Sequence, residues 1–131
     1  MDELSQNDVG GEQASGPVNL DAKFATFTEH WAPRRVASYN GNDIRIVKVE
    51  GEFVWHVHDD TDDFFLVIDG ILDIELRDRI VRLGPGELFV VPRGVEHRPV
   101  ARHGEVRMIN IEPGGTHNLG EGSPQRPVVE A

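Results

Sequence analysis

From about residue 44 to residue 111 the chain runs in short apolar stretches, each closed by a turn-forming cluster, with no apolar positions at the three-to-four spacing of a helix. Residues 44–49, 53–58, 64–68, 71–76, 80–83, 88–91, 95–100 and 106–111 are the eight expected strands. The breaks between them are Gly51, the acidic run after His58, Asp69-Gly70, Asp78-Arg79, Gly84-Pro85-Gly86, Pro92-Arg93-Gly94 and His103-Gly104. Leu72, Ile74 and Leu76 alternate with Asp73, Glu75 and Arg77, the pattern of a sheet with one buried and one wet face. Residues 53–57 and 64–68 are apolar at nearly every position and are expected to be covered on both faces, by a terminal segment or by another subunit. One helical turn fits residues 19–24. Many short strands without intervening helices predict an all-β protein, an antiparallel sandwich or barrel.

The ends differ from this body. Residues 1–18 lack apolar periodicity and contain Gly10-Gly11 and Gly16-Pro17, which predicts a flexible leader. Residues 119–131 are expected to form an extended tail, leaving one folded domain over 19–118. The N-terminus is acidic where a signal peptide carries a basic and then an apolar segment, so a cytoplasmic location is expected. No apolar run approaches the ~20 residues of a bilayer-spanning helix, and no membrane role is expected. The net charge of −10 and the pI near 4.9 oppose contact with nucleic acid, whose phosphates would be repelled. Cysteine is absent, so any metal must be held by nitrogen and oxygen ligands.

The stretch WHVHDDTDDFF, residues 55–65, carries the candidate chemistry. In a strand, side chains two apart share a face, so His56 and His58 project together, with Val54 beside them and Phe53, Trp55 and Val57 opposite. Two imidazoles side by side can reach one divalent cation, and a following acidic run can equally be a solvated turn; the pattern leaves both open. Asp63 starts the next strand, with Phe65 and Val67 on its own face, and His97 follows the tight turn Pro92-Arg93-Gly94. For His30, His103 and His117 a plain hydrogen-bonded role is expected, and for Arg45, Arg98 and Arg107 solvated strand positions.

Two spaced motifs resemble those of the cupins. The first is a Gly, a short gap, HxH, a short gap, an acid, six residues and Gly, here Gly51-EFVW-His56-Val57-His58-DDTD-Asp63-FFLVID-Gly70; the second is Gly86-ELFVV-Pro92-Arg93-Gly94-VE-His97-RPV-Ala101. The resemblance covers roughly residues 44–111 and is similar to small single-domain bacterial cupins of the kind likened to the cupin domain of mannose-6-phosphate isomerases. It departs from the usual pattern at Asp63, where the family has Glu, at Ala101, where it has Asn, and at the first Gly, which stands one residue closer to HxH.

The resemblance implies an antiparallel jelly-roll β-barrel with a divalent metal (Fe, Mn, Ni, Co, Cu or Zn) held inside by His56, His58, Asp63 and His97. It further implies a small-molecule ligand or substrate and a homodimer. Asp63 or Glu96 is the expected proton carrier, in a cavity lined by Phe65, Val67, Met108 and Val54. Cupins span oxygenases, isomerases, cyclases and plain binding modules, so two readings follow: a metal-dependent enzyme acting on a small organic molecule, or a non-catalytic binding module with a structural metal or none.

Overall fold

A computed structural model describes residues 16–114 and the backbone of residues 129 and 130. Most of the expected leader 1–18 and tail 119–131 therefore lies outside the described residues, as does His117. The elements are α1 (Leu20–Phe24), β1 (Arg34–Tyr39), β2 (Asn42–Glu52), β3 (Asp63–Asp69), β4 (Leu72–Leu76), β5 (Ile80–Leu83), β6 (Leu88–Val91), β7 (His97–Pro113) and β8 (Val129–Glu130). Among the described residues no helix is long and apolar enough to cross a membrane.

The fold is an antiparallel β jelly roll built around one long strand. β7 pairs with β2 along both of its halves, with β4 through residues 97–100 and with β3 through residues 107–109. Its two ends thus belong to opposite walls, one completed by β5 beyond β4, the other by β6 beyond β3. The sequence suggests two strands here because His103-Gly104 reads as a turn. Instead Val49 pairs with Val106 and Gly51 with Ala101, so residues 102–105 loop out opposite Glu50 and the strand continues.

β1 is a strand that the hydrophobic pattern does not reveal, because Arg34-Arg35 opens it. Its signal is the next dipeptide: Asn40-Gly41 has φ of 51° and 79°, the two-residue hairpin turn whose twist matches the flanking strands. The hairpin lays β1 on β2. At Gly70 a side chain is excluded by contact, since a Cβ there would lie 2.8 Å from Glu105 O.

Apolar burial divides into two regions. Val47, Val49, Phe65, Val67, Leu72, Ile74, Val91, Val106 and Met108 fill the interior between the walls. Phe24 and Phe27 pack outside, on Ile46. β2 is therefore the strand covered on both faces, and the segment covering it is the one that begins with α1, capped by Asn19. The expectation for 64–68 is corrected: Asp63, Phe65 and Val67 are buried, while Phe64, Leu66 and Ile68 are only half-buried. Burying one such apolar side chain contributes roughly 1.5–3 kcal/mol, so both clusters hold β2 in place.

Candidate metal centre

Residues 53–58, expected as a strand, form an extended segment tied to the start of β7. Phe53 N donates to Pro99 O at 3.0 Å, His56 and His97 exchange two backbone bonds of 3.0 Å, and Gly94 N donates to His58 O at 2.8 Å. Two residues lie between Phe53 and His56 where only one lies between His97 and Pro99, so one extra residue sits in this segment. A one-residue slip reverses which face a side chain takes. Phe53 and His56 consequently both face the interior, whereas Val54, expected inside, is 55% exposed.

Asp63 opens β3 and His97 opens β7. The preceding Asp62 accepts from Arg93 N at 2.9 Å, which joins the acidic turn to the Pro92-Arg93-Gly94 turn and sets both strand starts against each other. His56, His58, Asp63 and His97 are all buried, and one ligand atom from each lies within 4.8 Å of the others. The Nε2 atoms of His97, His58 and His56 stand 2.8, 3.5 and 3.8 Å from Asp63 Oδ2. Neighbouring donors on one ion at ~2.1 Å bond lengths lie roughly 3–3.5 Å apart, so this spacing fits a single first-row cation. The shorter Asp63 carboxylate reaches the imidazoles without help.

Hydrogen bonding on the far side of the rings sharpens the fit. His56 Nδ1 bonds Val54 O and His97 Nδ1 bonds Val95 O, each at 2.9 Å. A carbonyl only accepts, so Nδ1 carries a proton and Nε2 is the ring atom turned inward, where its lone pair is the one a cation would take. A lone pair facing a carboxylate oxygen at 2.8 Å needs a proton or a cation between them. His58 Nε2, buried, makes no hydrogen bond at all. This donor set, three imidazole nitrogens and one carboxylate, suits a divalent metal.

Electrostatics follow from crowding charges in a dry site. For Asp63, burial is the largest influence and pushes its pKa up, but the three facing imidazoles of His56, His58 and His97 outweigh it and hold the carboxyl well below its usual range. For His58, burial again acts most strongly, downward, yet the Asp63 carboxylate 3.5 Å away and the charge of Glu112 leave its pKa raised. Glu112 is pushed up to about 7, first by burial and then by the charge of Asp63, against the pull of Arg45.

A cavity of about 50 Å³ opens beside the cluster, lined by His56 and Asp63 and by apolar residues that include Trp31, Phe53, Phe65 and Met108. Its remaining wall is polar: Arg45, Asn110 and Glu112, at 3%, 4% and 3% exposure. Arg45 Nε and Nη2 both donate to Asn110 Oδ1. Asn110 Nδ2 donates to Phe64 O at 2.9 Å and lies 3.3 Å from both Asp63 Oδ1 and Glu112 Oε2. Asn110 thereby orients Asp63 from behind, as second-layer partners of metal ligands do.

Arg45 is thus not at the solvated position expected for it. Asn110 and Glu112 were not singled out by sequence reasoning, although they share the alternating face of Val106 and Met108, and polar residues on an interior face were the available signal. Glu96 is not brought to the cluster. It faces outward, 45% exposed in its side chain, and accepts from Arg77 at 2.9 and 3.0 Å. Arg98 bonds Glu75 and Glu52, Arg107 sits 5.2 Å over the Phe24 ring, and His30 bonds Glu105.

Comparison with known proteins agrees with this geometry. The cupin domain family model matches residues 44–119. An uncharacterized protein YdbB of Bacillus subtilis is 30% identical over 94 residues, covering 71% of this chain and 80% of that protein. A cupin-2 domain containing protein from Shewanella frigidimarina is 48% identical with a TM-score of 0.72, over 73% of this chain and 93% of that one. KdgF from Halomonas sp. is 28% identical with a TM-score of 0.54, over 60% of this chain and 74% of that one.

Proposed function

The chain belongs to the cupin domain family, and from that premise we propose that it holds one divalent metal ion on His56, His58, Asp63 and His97 and takes a small organic molecule into the adjoining cavity. The observation that carries the reading is the convergence of three Nε2 atoms on Asp63 Oδ2, with two of the rings fixed from behind by Val54 O and Val95 O.

An ion in this site supplies Lewis acidity to an oxygen of the bound molecule. The protein supplies the rest. His56, His58 and His97 donate lone pairs, and the Asp63 charge offsets that of the ion. Asn110 holds Asp63 in orientation, and Phe65 and Met108 keep one side of the cavity dry. Glu96, bound to Arg77 on the surface, lies away from the cluster, so a proton carried within the site falls to the buried carboxyls of Asp63 and Glu112.

Metal analysis of purified protein tests the reading. One equivalent per chain is expected in the wild type, with none retained by His58→Ala or His97→Ala after gel filtration against a weak chelator. Unchanged metal in both variants overturns it. Enzyme and binding module then separate on turnover: a catalyst consumes a test panel of diketones, phenols and keto acids under aerobic or anaerobic conditions, whereas a binding module returns them unchanged.

A further inference from the structure

The polar wall of the cavity contains one unsatisfied atom. Glu112 Oε1 is buried without a hydrogen-bond partner: Arg45 Nη2, 3.3 Å away, attracts it by charge, directs one of its two hydrogens at Asn110 Oδ1 and makes no aligned bond to Glu112. A buried polar atom left in this state is destabilising unless something else bonds it. The same carboxylate lines the cavity together with His56 and Asp63, and the Asn110 amide lies 3.3 Å from both Glu112 Oε2 and Asp63 Oδ1, so Glu112 and the metal cluster border one space.

The character of that molecule follows from the other lining groups. Arg45, the one cation among the lining residues, is already balanced by Glu112, which leaves no spare positive side chain for a carboxylate or phosphate. The apolar lining includes Trp31 and Phe53, whose rings stack with centroids 4.6 Å apart and planes 19° apart. Trp31 holds a φ of 60°, which a residue with a bulky side chain rarely adopts. It is kept there by Trp31 N donating to Lys48 O at 2.8 Å and Nε1 donating to Glu50 O at 3.1 Å. Strain held by surrounding bonds marks a side chain whose placement matters.

We propose that Glu112 is the specificity residue of this cavity, binding the hydroxyl of a small, uncharged, planar molecule whose body lies against Trp31 and Phe53 and whose second oxygen faces the metal cluster. The proposal rests on the metal-binding reading for that second oxygen only. A hydroxyl both donates and accepts, so it satisfies Glu112 as carboxylate or as acid.

Calorimetric titration of metal-loaded protein with catechol, with its monomethyl ether guaiacol and with benzoate tests this, alongside Glu112→Ala and Glu112→Gln whose metal content and Tm are measured in parallel. Wild type is expected to bind catechol at least about tenfold more tightly than guaiacol, the loss of one hydrogen bond to a charged group. That preference should vanish in Glu112→Ala with metal retained, and benzoate should bind more weakly than catechol. An undiminished preference in both variants overturns the proposal, as does tighter binding of benzoate, or loss of metal in both variants, which makes Glu112 a support of the metal ligands. If wild type holds no metal, the metal-binding reading fails by itself. The hydroxyl preference of metal-free protein, read by quenching of tryptophan fluorescence, then decides the Glu112 subsite: its presence and dependence on Glu112 support it, its absence overturns it.

Discussion

Of the buried aspartates in this jelly roll, Asp63 and Asp73 are made opposites by their surroundings. Asp63, 5% exposed, faces three imidazoles; Asp73, 1% exposed, faces two guanidiniums, with Arg82 Nε and Arg102 Nε each donating at 2.8 Å. Arg102 and Arg98 also bond Glu75, extending the pair into a network across β4, β5 and β7. Both carboxyls have lowered pKa values. At Asp73 the bond from Arg82 is the largest cause, whereas at Asp63 the imidazoles must first overcome burial. The difference lies in the partners. A guanidinium keeps its charge and its protons, so Asp73 is satisfied permanently and has no use for a ligand. Imidazoles trade a proton for a lone pair, so Asp63 is satisfied only when a proton or a metal ion sits among them.

The contrast breaks most visibly on metal removal. Stripping the ion with a strong chelator should lower Tm by roughly 10 °C, from about 2.7 kcal/mol of binding linkage at a hundredfold excess over Kd in a domain of this size. Asp73→Asn should show the same chelator shift from a lower starting Tm, because its network binds no ion. A chelator shift that disappears in Asp73→Asn would mean that the two aspartates act as one unit. Asn110→Ala comes next: freed from its orienting amide, Asp63 should lose about 10- to 100-fold in metal affinity by competition titration, while Arg82 and Arg102 are untouched.

A pH series on metal-free protein sharpens the comparison further, because the signs differ. His58 has a folded pKa raised above 6.5, so its contribution to stability is full below 6.5 and is lost as pH rises through the raised value. Asp73 has a folded pKa below 3.8, so its contribution is full above 3.8 and is lost as pH falls through the lowered value. The Tm gap between wild type and His58→Gln should therefore shrink as pH rises above 6.5, while the gap to Asp73→Asn stays constant there and closes only as pH falls below 3.8. Smallest of all, Glu96→Gln should leave metal content and Tm within error, since its ion pair with Arg77 is solvent-exposed.

The four residues of the buried cluster were legible through the two cupin motifs, since strand alternation by itself pairs only His56 with His58. HxH places two rings together, the acidic turn ends at Asp63, and Pro92-Arg93-Gly94 delivers His97. Glu96 was misjudged for a local reason: adjacency to His97 suggests proximity, but neighbours in a strand point apart, and it faces Arg77 outside. Val54 and Phe53 exchanged their expected faces because the extra residue before His56 has no marker in the sequence.

What the sequence by itself determined is the all-β architecture, since alternation and turn chemistry act over a few residues, and, through the resemblance of two glycine-bounded motifs to those of cupins, the metal-ligand candidates. Only the tertiary structure decided that β7 runs unbroken between both walls, and that Arg45, Asn110 and Glu112 turn inward to build a polar wall behind Asp63. The reason is physical. Arg45 and Asn110 are register partners 65 residues apart, and a polar side chain on a strand becomes interior only when the opposing wall closes over it.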